Sequence, residues 1–132
     1  MKQYKIGITF GAFDPLHHGH LKLFMRAKAQ CEKLIVCVST AGYIQKHKGR
    51  AERFPLNERV AALEAVTFVD EVGIQREYGF GKKEAVAQYG AEVIFVGDDW
   101  TPETFSGEGL GVPVVYLPHT PGISSTDLTK TS

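Results

Sequence analysis

The residues best suited to chemistry lie together in one segment, residues 11–20, which reads GAFDPLHHGH. The segment follows an apolar run and precedes a helical pattern, so the free N–H groups of the helix start can face an anion. His17 and His20 are three residues apart and can reach the same ligand from that position. Imidazoles placed in this way stabilise charge on a transferring phosphoryl group and on its leaving group. The segment therefore predicts a phosphate-binding site.

Two other interpretations of these histidines compete with phosphate binding. A single histidine at such a place more often caps a turn or satisfies a core group, but three histidines and two glycines in one segment favour a functional site. A zinc site is the second alternative, because His-x-x-His pairs bind zinc. No third ligand of a suitable type lies nearby in the sequence, so phosphate is favoured and no residue is assigned to a metal.

Regular elements must hold this segment in place, and five apolar runs alternate with helical patterns along the chain. Most of these runs are continuously apolar, which is typical of strands covered on both faces in a parallel sheet. Residues 68–74 form a weaker run, because Asp70 and Glu71 interrupt it. With right-handed crossovers this predicts an α/β fold, a Rossmann-like open parallel sheet of about five strands with helices on both faces. Ligands of such sheets bind beyond the carboxyl ends of the strands. The predicted strands are residues 6–10, 34–38, 68–74, 93–96 and 114–117, and the predicted helices are residues 20–32, 56–66 and 82–89.

Composition limits the classes of partner. Fifteen basic residues balance fifteen acidic ones, so no overall field attracts nucleic acid or an anionic membrane. The N-terminus lacks the apolar core of a signal peptide, and two cysteines in apolar surroundings fit a reducing compartment. We therefore expect a cytoplasmic protein with no nucleic-acid or membrane partner. Its 132 residues predict a single domain over residues 1–132, either a minimal form or a domain cut from a longer protein.

Three motifs give the chain a family resemblance. The sequence His17-His18-Gly19-His20 resembles the HxGH signature of the cytidylyltransferase-like nucleotidyltransferases. Residues 122–126, which read GISST, resemble the second signature of that family, and residues 97–100, which read GDDW, resemble its glycerol-3-phosphate branch. Arg59 and the FVDEV run of residues 68–72 also match that branch. The motifs follow the family's order over nearly the whole chain, with the first after the first strand and the last after the final strand.

The resemblance implies a reaction and its reactive residues. CMP would pass from CTP to a phosphate acceptor by in-line attack, with release of pyrophosphate. A phosphate monoester is mostly dianionic at neutral pH, since its second pKa is about 6, so no general base is required. The resemblance places His17 and His20 at the reacting phosphates. The family also uses a lysine of the basic loop 45–50, where Lys46 is assigned to catalysis and Lys48 to the acceptor, although the sequence does not choose firmly between them.

The same resemblance implies the binding residues. Arg59 is expected at the acceptor phosphate, against the alternative of an exposed helix arginine. Asp14 is grouped with the acceptor, although it is expected to fix the loop rather than to do chemistry. Ser124, Ser125 and Thr126 would bind the outer phosphates or cap a second helix. The residues expected at the nucleotide are Thr9, Phe10, Gly11, Ala12, Phe13, Gly19, Gly97, Asp98, His119, Gly122, Ile123, Ser124, Ser125 and Thr126.

Two departures from the branch bear on the acceptor. Thr67 and His119 stand where glycerol-3-phosphate enzymes carry arginines that are expected near the nucleotide. The acceptor alternatives are therefore glycerol 3-phosphate, a phosphonate such as 2-hydroxyethylphosphonate, and ethanolamine or choline phosphate. An adenylyltransferase that uses ATP and an inactive nucleotide-binding module are the competing functions. The resemblance also implies Mg²⁺ bound through the CTP phosphates, and a homodimer.

Overall fold

The computed structural model of the protein describes residues 2–76, 79, 81–98 and 100–118. Its five strands form one sheet in the order β3-β2-β1-β4-β5, and every neighbouring pair is parallel. The predicted α/β class and five-stranded parallel sheet are therefore confirmed. In chain order the elements are β1 (Tyr4–Gly11), α1 (His18–Lys28), β2 (Cys31–Ser39), α2 (Ala41–Lys48), α3 (Leu56–Glu64), β3 (Glu71–Gln75), α4 (Lys82–Tyr89), β4 (Val93–Gly97) and β5 (Val114–Leu117).

The sheet separates two apolar cores. One face packs against α1 and α3 and buries Phe24, Leu63 and Phe95. The opposite face packs against α4 and buries Ile8 and Ile94 among others. Alternate residues of each strand enter opposite cores, so both faces need apolar side chains. This explains why the strands are continuously apolar in sequence. None of the helices in the described part of the chain is long and apolar enough to cross a membrane.

Several element bounds differ from the sequence prediction. The first helix ends at Lys28 rather than at residue 32, because Cys31 is fully buried and already pairs with Tyr4 in the sheet. A helix that the sequence analysis missed, α2, replaces most of the predicted basic loop. The side chain of Thr40 caps its start by accepting a hydrogen bond from Tyr43 N, and Gly49 ends it with a φ of 67°.

The order of the strands creates the position for a site. The chain builds outwards from β1 to β2 and β3, and then crosses back to place β4 on the other side of β1. At such a switch point the connections leave a crevice at the carboxyl ends of the strands. Gly11 and Gly97 end β1 and β4 at that crevice. The HxGH segment, residues 17–20, starts there as well.

We predict that replacing Gly7 by alanine destabilises the fold. Gly7 lies in the central strand, and a Cβ atom there would come within 2.5 Å of Cε2 of the fully buried Phe95. Overpacking of this kind typically costs about 1–3 kcal/mol, which urea denaturation would measure. Gly81→Ala is the control, because its Cβ would meet only Glu84 Oε1 at 3.4 Å. Equal stability of the two variants would contradict this account of the packing.

Candidate active site

A cavity of about 670 Å³ opens at the crevice, and we call it the main cavity. One side consists of the end of β1, the HxGH segment and several cationic side chains, while the other side is formed by the ends of β4 and β5. The sequence-predicted residues that the structure brings together here are Thr9, Phe10, Gly11, Ala12, Phe13, Asp14, His17, Gly19, His20, Lys48 and Gly97. Asp98, Lys46 and Arg59 do not line it, and His119, Gly122, Ile123, Ser124, Ser125 and Thr126 lie outside the described residues.

The two motif histidines cap the helix that they begin. His17 is the N-cap residue of α1, and its Nδ1 accepts a hydrogen bond from Gly19 N at 3.0 Å. His20 Nδ1 accepts a hydrogen bond from His17 N at 3.2 Å, and the two rings stack with their centroids 3.8 Å apart. A ring nitrogen that accepts a hydrogen bond carries no proton, so each neutral imidazole has its proton on Nε2. Capping therefore makes each Nε2 a hydrogen-bond donor.

Electrostatics keep the histidines neutral. Burial, followed by the charges of His17 and Lys48, lowers the pKa of His20 to about 3. Burial and the neighbouring His18 also lower the pKa of His17. At neutral pH the rings can therefore keep Nδ1 as an acceptor and Nε2 as a donor. Two donors in a fixed orientation are suited to charge that develops on phosphate oxygens.

Asp14 holds the segment against the loop before α3. Its carboxylate oxygens accept hydrogen bonds from Arg53 N at 2.6 Å, Phe54 N at 2.7 Å and Arg50 Nη1 at 3.1 Å. Burial alone would raise the pKa of Asp14, but these hydrogen bonds outweigh burial and lower it. Both oxygens are thus engaged by the protein itself. Asp14 therefore fixes the loop, as the sequence analysis expected.

Arg59 occupies a different place from the one predicted. It is only 3% exposed. Its guanidinium donates to Ala12 O at 3.1 Å, to Ser39 O at 2.6 Å and to Phe54 O at 2.9 Å, and it forms an ion pair with Glu52. The acceptor contact and the alternative of an exposed helix arginine are both corrected by this geometry. Arg59 is a positioning residue that ties the motif segment to β2 and to the loop before α3.

The two candidate lysines lie in different cavities. The predicted basic loop is the last turn of α2, so Lys46 and Lys48 point in different directions. Lys48 lines the main cavity, whereas Lys46 lines a smaller neighbouring cavity. Desolvation and the charges of Arg50 and Lys82 lower the pKa of Lys48. Of the two lysines, Lys48 therefore shares the main cavity with the histidines and Lys46 does not, so the catalytic assignment of Lys46 stays a prediction.

Sequence reasoning missed several residues of the main cavity. Arg50 and Arg53 line it next to Asp14, and Arg26 reaches it from α1 while donating to Pro118 O at 2.8 Å. Trp100 lines it from the end of β4 and is 45% exposed. Arg50 belongs to the basic segment and Trp100 to the GDDW motif, so the sequence could have indicated both residues as candidates for the site. The substitution at Thr67 matters less here, because Thr67 lies before β3, at the amino edge of the sheet.

Comparisons with known proteins fit this geometry. The family model described as cytidylyltransferase-like matches residues 8–131. The chain belongs to this family. It is therefore a nucleotidyltransferase, and the predicted enzyme class is confirmed. The chain is 38% identical over 122 residues to the glycerol-3-phosphate cytidylyltransferase of Bacillus subtilis, with 92% of each chain covered, and 37% identical to that of Staphylococcus aureus, with 92% of this chain and 89% of the relative covered.

More distant matches are longer proteins or share only the fold. The bifunctional protein HldE of Caulobacter vibrioides is 34% identical, and the matched region is 26% of its length. Among solved structures, the lipopolysaccharide core biosynthesis protein of Thermoplasma volcanium has a TM-score of 0.71 at 23% identity, covering 88% of this chain and 96% of its own. Pantoate-beta-alanine ligase of Francisella tularensis has a TM-score of 0.62 at 15% identity, covering 100% of this chain and 67% of its own.

We predict that Arg59→Met destabilises this cytidylyltransferase-like chain by about 3–5 kcal/mol, because it leaves the Glu52 carboxylate and buried carbonyl groups without their donor. The free energy of unfolding in urea is the measurement. Arg76→Met is the control, since Arg76 is exposed and its loss should change stability by about 0.5 kcal/mol or less. A loss below about 1 kcal/mol at Arg59 would argue against the positioning role.

Proposed function

We propose that the protein transfers CMP from CTP to a small molecule that carries a phosphate or a phosphonate, and releases pyrophosphate. The observation that carries this proposal is the pair of capped histidines, which line the main cavity together with Lys48. The similarity to glycerol-3-phosphate cytidylyltransferases over 92% of the chain supports cytidylyl transfer in particular.

The mechanism needs positioning and charge neutralisation. An acceptor oxygen attacks the α-phosphorus of CTP, a new P–O bond forms, and the bond to the bridging oxygen breaks with its electron pair passing to pyrophosphate. The acceptor is already anionic, so no protein base has to remove a proton. His17, His20 and Lys48 stabilise the charge that spreads over the phosphate oxygens in the transition state. The histidines contribute hydrogen bonds from Nε2, and Lys48 contributes its positive charge.

The main cavity is asymmetric, and this orients the nucleotide. Its β1 side carries the histidines together with Lys48, Arg50 and Arg53. Its β4–β5 side contributes the largely apolar group Val96, Gly97, Trp100, Leu117 and Pro118. A nucleoside triphosphate has an anionic end and a flat, less polar end. We therefore place the phosphates near the histidines and the base near the strands β4 and β5, with Trp100 available for stacking.

Mg²⁺ belongs to the proposal as a companion of CTP. Among the described residues, no group of three or more His, Cys, Asp and Glu could hold a metal ion, and both oxygens of Asp14 are engaged by backbone and arginine donors. A cation held mainly by triphosphate oxygens fits this donor set. When bound, Mg²⁺ neutralises the charge of the leaving pyrophosphate. The expected homodimer and cytoplasmic location remain predictions.

The histidines provide the most direct test. His17→Asn and His20→Asn each keep an acceptor near the position of Nδ1 but remove the donor at Nε2. We expect kcat to fall by about thirtyfold or more, which is about 2 kcal/mol of transition-state stabilisation. Pyrophosphate release with CTP measures the loss, and KM for CTP should change less. His18→Asn is the matched control, since His18 is exposed within the same motif. Near-normal turnover in both variants would show that the site is elsewhere.

The acceptor is tested by competition. Glycerol 3-phosphate is the first candidate because of the named relatives, and 2-hydroxyethylphosphonate is the second. A pocket that pairs with substrate hydroxyls rejects an analogue lacking them by as much as ~10⁴-fold. We expect one acceptor to dominate when both compete for CTP. We also expect no turnover when ATP replaces CTP, and none when EDTA removes Mg²⁺. Comparable kcat/KM values for the two acceptors would contradict a hydroxyl-reading pocket.

A further inference from the structure

A second cavity, of about 330 Å³, opens at the same edge of the sheet, and basic residues form part of its lining. Lys46 and His47 contribute from the last turn of α2, Arg76 follows β3, and Lys82 begins α4. Glu84 is the one carboxylate among the described residues that line it, and its Oε1 already accepts a hydrogen bond from Gly81 N at 2.8 Å. The second cavity therefore favours an anionic ligand and disfavours a cationic one.

The two cavities are neighbours. Phe10 lines the main cavity, and its ring centroid lies 5.3 Å from Lys82 Nζ, which lines the second. Lys48 of the main cavity follows Lys46 and His47 of the second in the same helical turn. The charge of Lys82 also acts on the pKa of Lys48. The side chains that line the second cavity therefore lie beside those that line the main cavity.

Lys82 is held in a cage of aromatic rings. Its Nζ lies 5.3 Å from the ring centroid of Phe10, 5.6 Å from that of Tyr43 and 5.8 Å from that of Phe105. These distances are within the range of cation–π attraction, about 6 Å. Nζ also donates to Tyr43 Oη at 3.1 Å, and the buried Gln75 donates to the same oxygen at 3.1 Å. The ammonium thus has a fixed place.

The charge of Lys82 is not neutralised within the described part of the chain, where none of the ion pairs includes it. Burial lowers its pKa. An ammonium with N–H groups to spare and no counter-ion attracts an anion and repels a second cation. Aromatic cages of this kind bind the ammonium groups of ligands such as choline. Here the protein's own ammonium already fills the cage.

We propose that the acceptor enters through the second cavity and that Lys82, a cation fixed in the aromatic cage, selects among acceptors by the charge of their tail, the group attached to the phosphate. Acceptors with a neutral or anionic tail are accepted, and those whose tail bears an ammonium group are excluded. A charge in the binding site that has the same sign as the wrong ligand repels that ligand and so contributes to specificity. This inference rests on the proposed function and narrows it, because it removes choline phosphate and ethanolamine phosphate from the acceptors that the sequence leaves open.

Two phosphate monoesters that differ in their tails test the inference. Glycerol 3-phosphate has a neutral tail with hydroxyls, whereas choline phosphate has a quaternary ammonium. We expect the wild type to prefer glycerol 3-phosphate by about 100-fold or more in kcat/KM with CTP, and Lys82→Met to lose about tenfold or more of that preference. Lys83→Met, at the exposed neighbouring position, should retain it. Methionine keeps the length and apolar stem of lysine, and Lys82→Gln is a second uncharged variant if Lys82→Met folds poorly.

The outcomes separate the inference from the proposed function. A wild type that uses choline phosphate as well as glycerol 3-phosphate, or a Lys82→Met variant that retains the preference, overturns the inference. If glycerol 3-phosphate, choline phosphate and 2-hydroxyethylphosphonate all fail to give pyrophosphate with CTP, the proposed function fails, and calorimetric binding of the two phosphates then decides the inference. Preferential binding of glycerol 3-phosphate that is lost in Lys82→Met supports it. Equal binding of the two, or no binding of either, overturns it.

Discussion

The buried guanidinium of Arg59 is the interaction on which the site depends. It joins Ala12 O in the motif segment, Ser39 O at the end of β2 and Phe54 O in the loop before α3. The pairing of β1 with β2 already brings the first two carbonyl groups together, but the sheet does not hold the loop before α3 against them. Only a side chain with several donors in a fixed plane can satisfy them at once. The cost of burying this cation is offset by the ion pair with Glu52 and by these hydrogen bonds.

In the HxGH segment, the atoms that stabilise the start of the helix also determine the proposed chemistry. The Nδ1 atoms of His17 and His20 complete the start of α1, and this contact decides which nitrogen of each ring carries the proton. Phe13, at a φ of 49°, packs its ring edge-on against that of His20 and supports it from the core side. The donors are therefore oriented before any substrate binds, so binding energy is not used to arrange them.

Much of the fold and part of the site could be predicted from the sequence. Apolar runs predicted all five strands, because both faces of a parallel sheet are buried. The run at β3 was the weakest of them, since Asp70 and Glu71 interrupt it. Residues 17–20 identified the centre of the site through type and spacing. Lys82 at the start of α4 and Tyr89 at its end were found as predicted.

The sequence predictions were wrong at residues whose conformation and partners depend on contacts with distant parts of the chain. The α2 helix has few buried residues, Ile44 among them, so its polar sequence resembled a loop, and the capping residues Thr40 and Gly49 were the available signal. Arg59 could not be distinguished from a ligand-binding arginine, because its partners come from three separate segments. The aromatic cage of Lys82 combines side chains from β1, α2 and the loop after β4, which no local pattern reveals.

The switch in strand order has a consequence for how such a chain can diverge. Among the described residues, the part of the chain through β3 supplies the histidines and cations of the main cavity, and the part after it supplies the largely apolar side with Trp100. A single connection joins the two parts, and they meet in the sheet through the pairing of β1 with β4. Substitutions at residues of the later part that face the cavity, such as Trp100, can therefore reshape the wall proposed for the base while residues 17–20 stay unchanged.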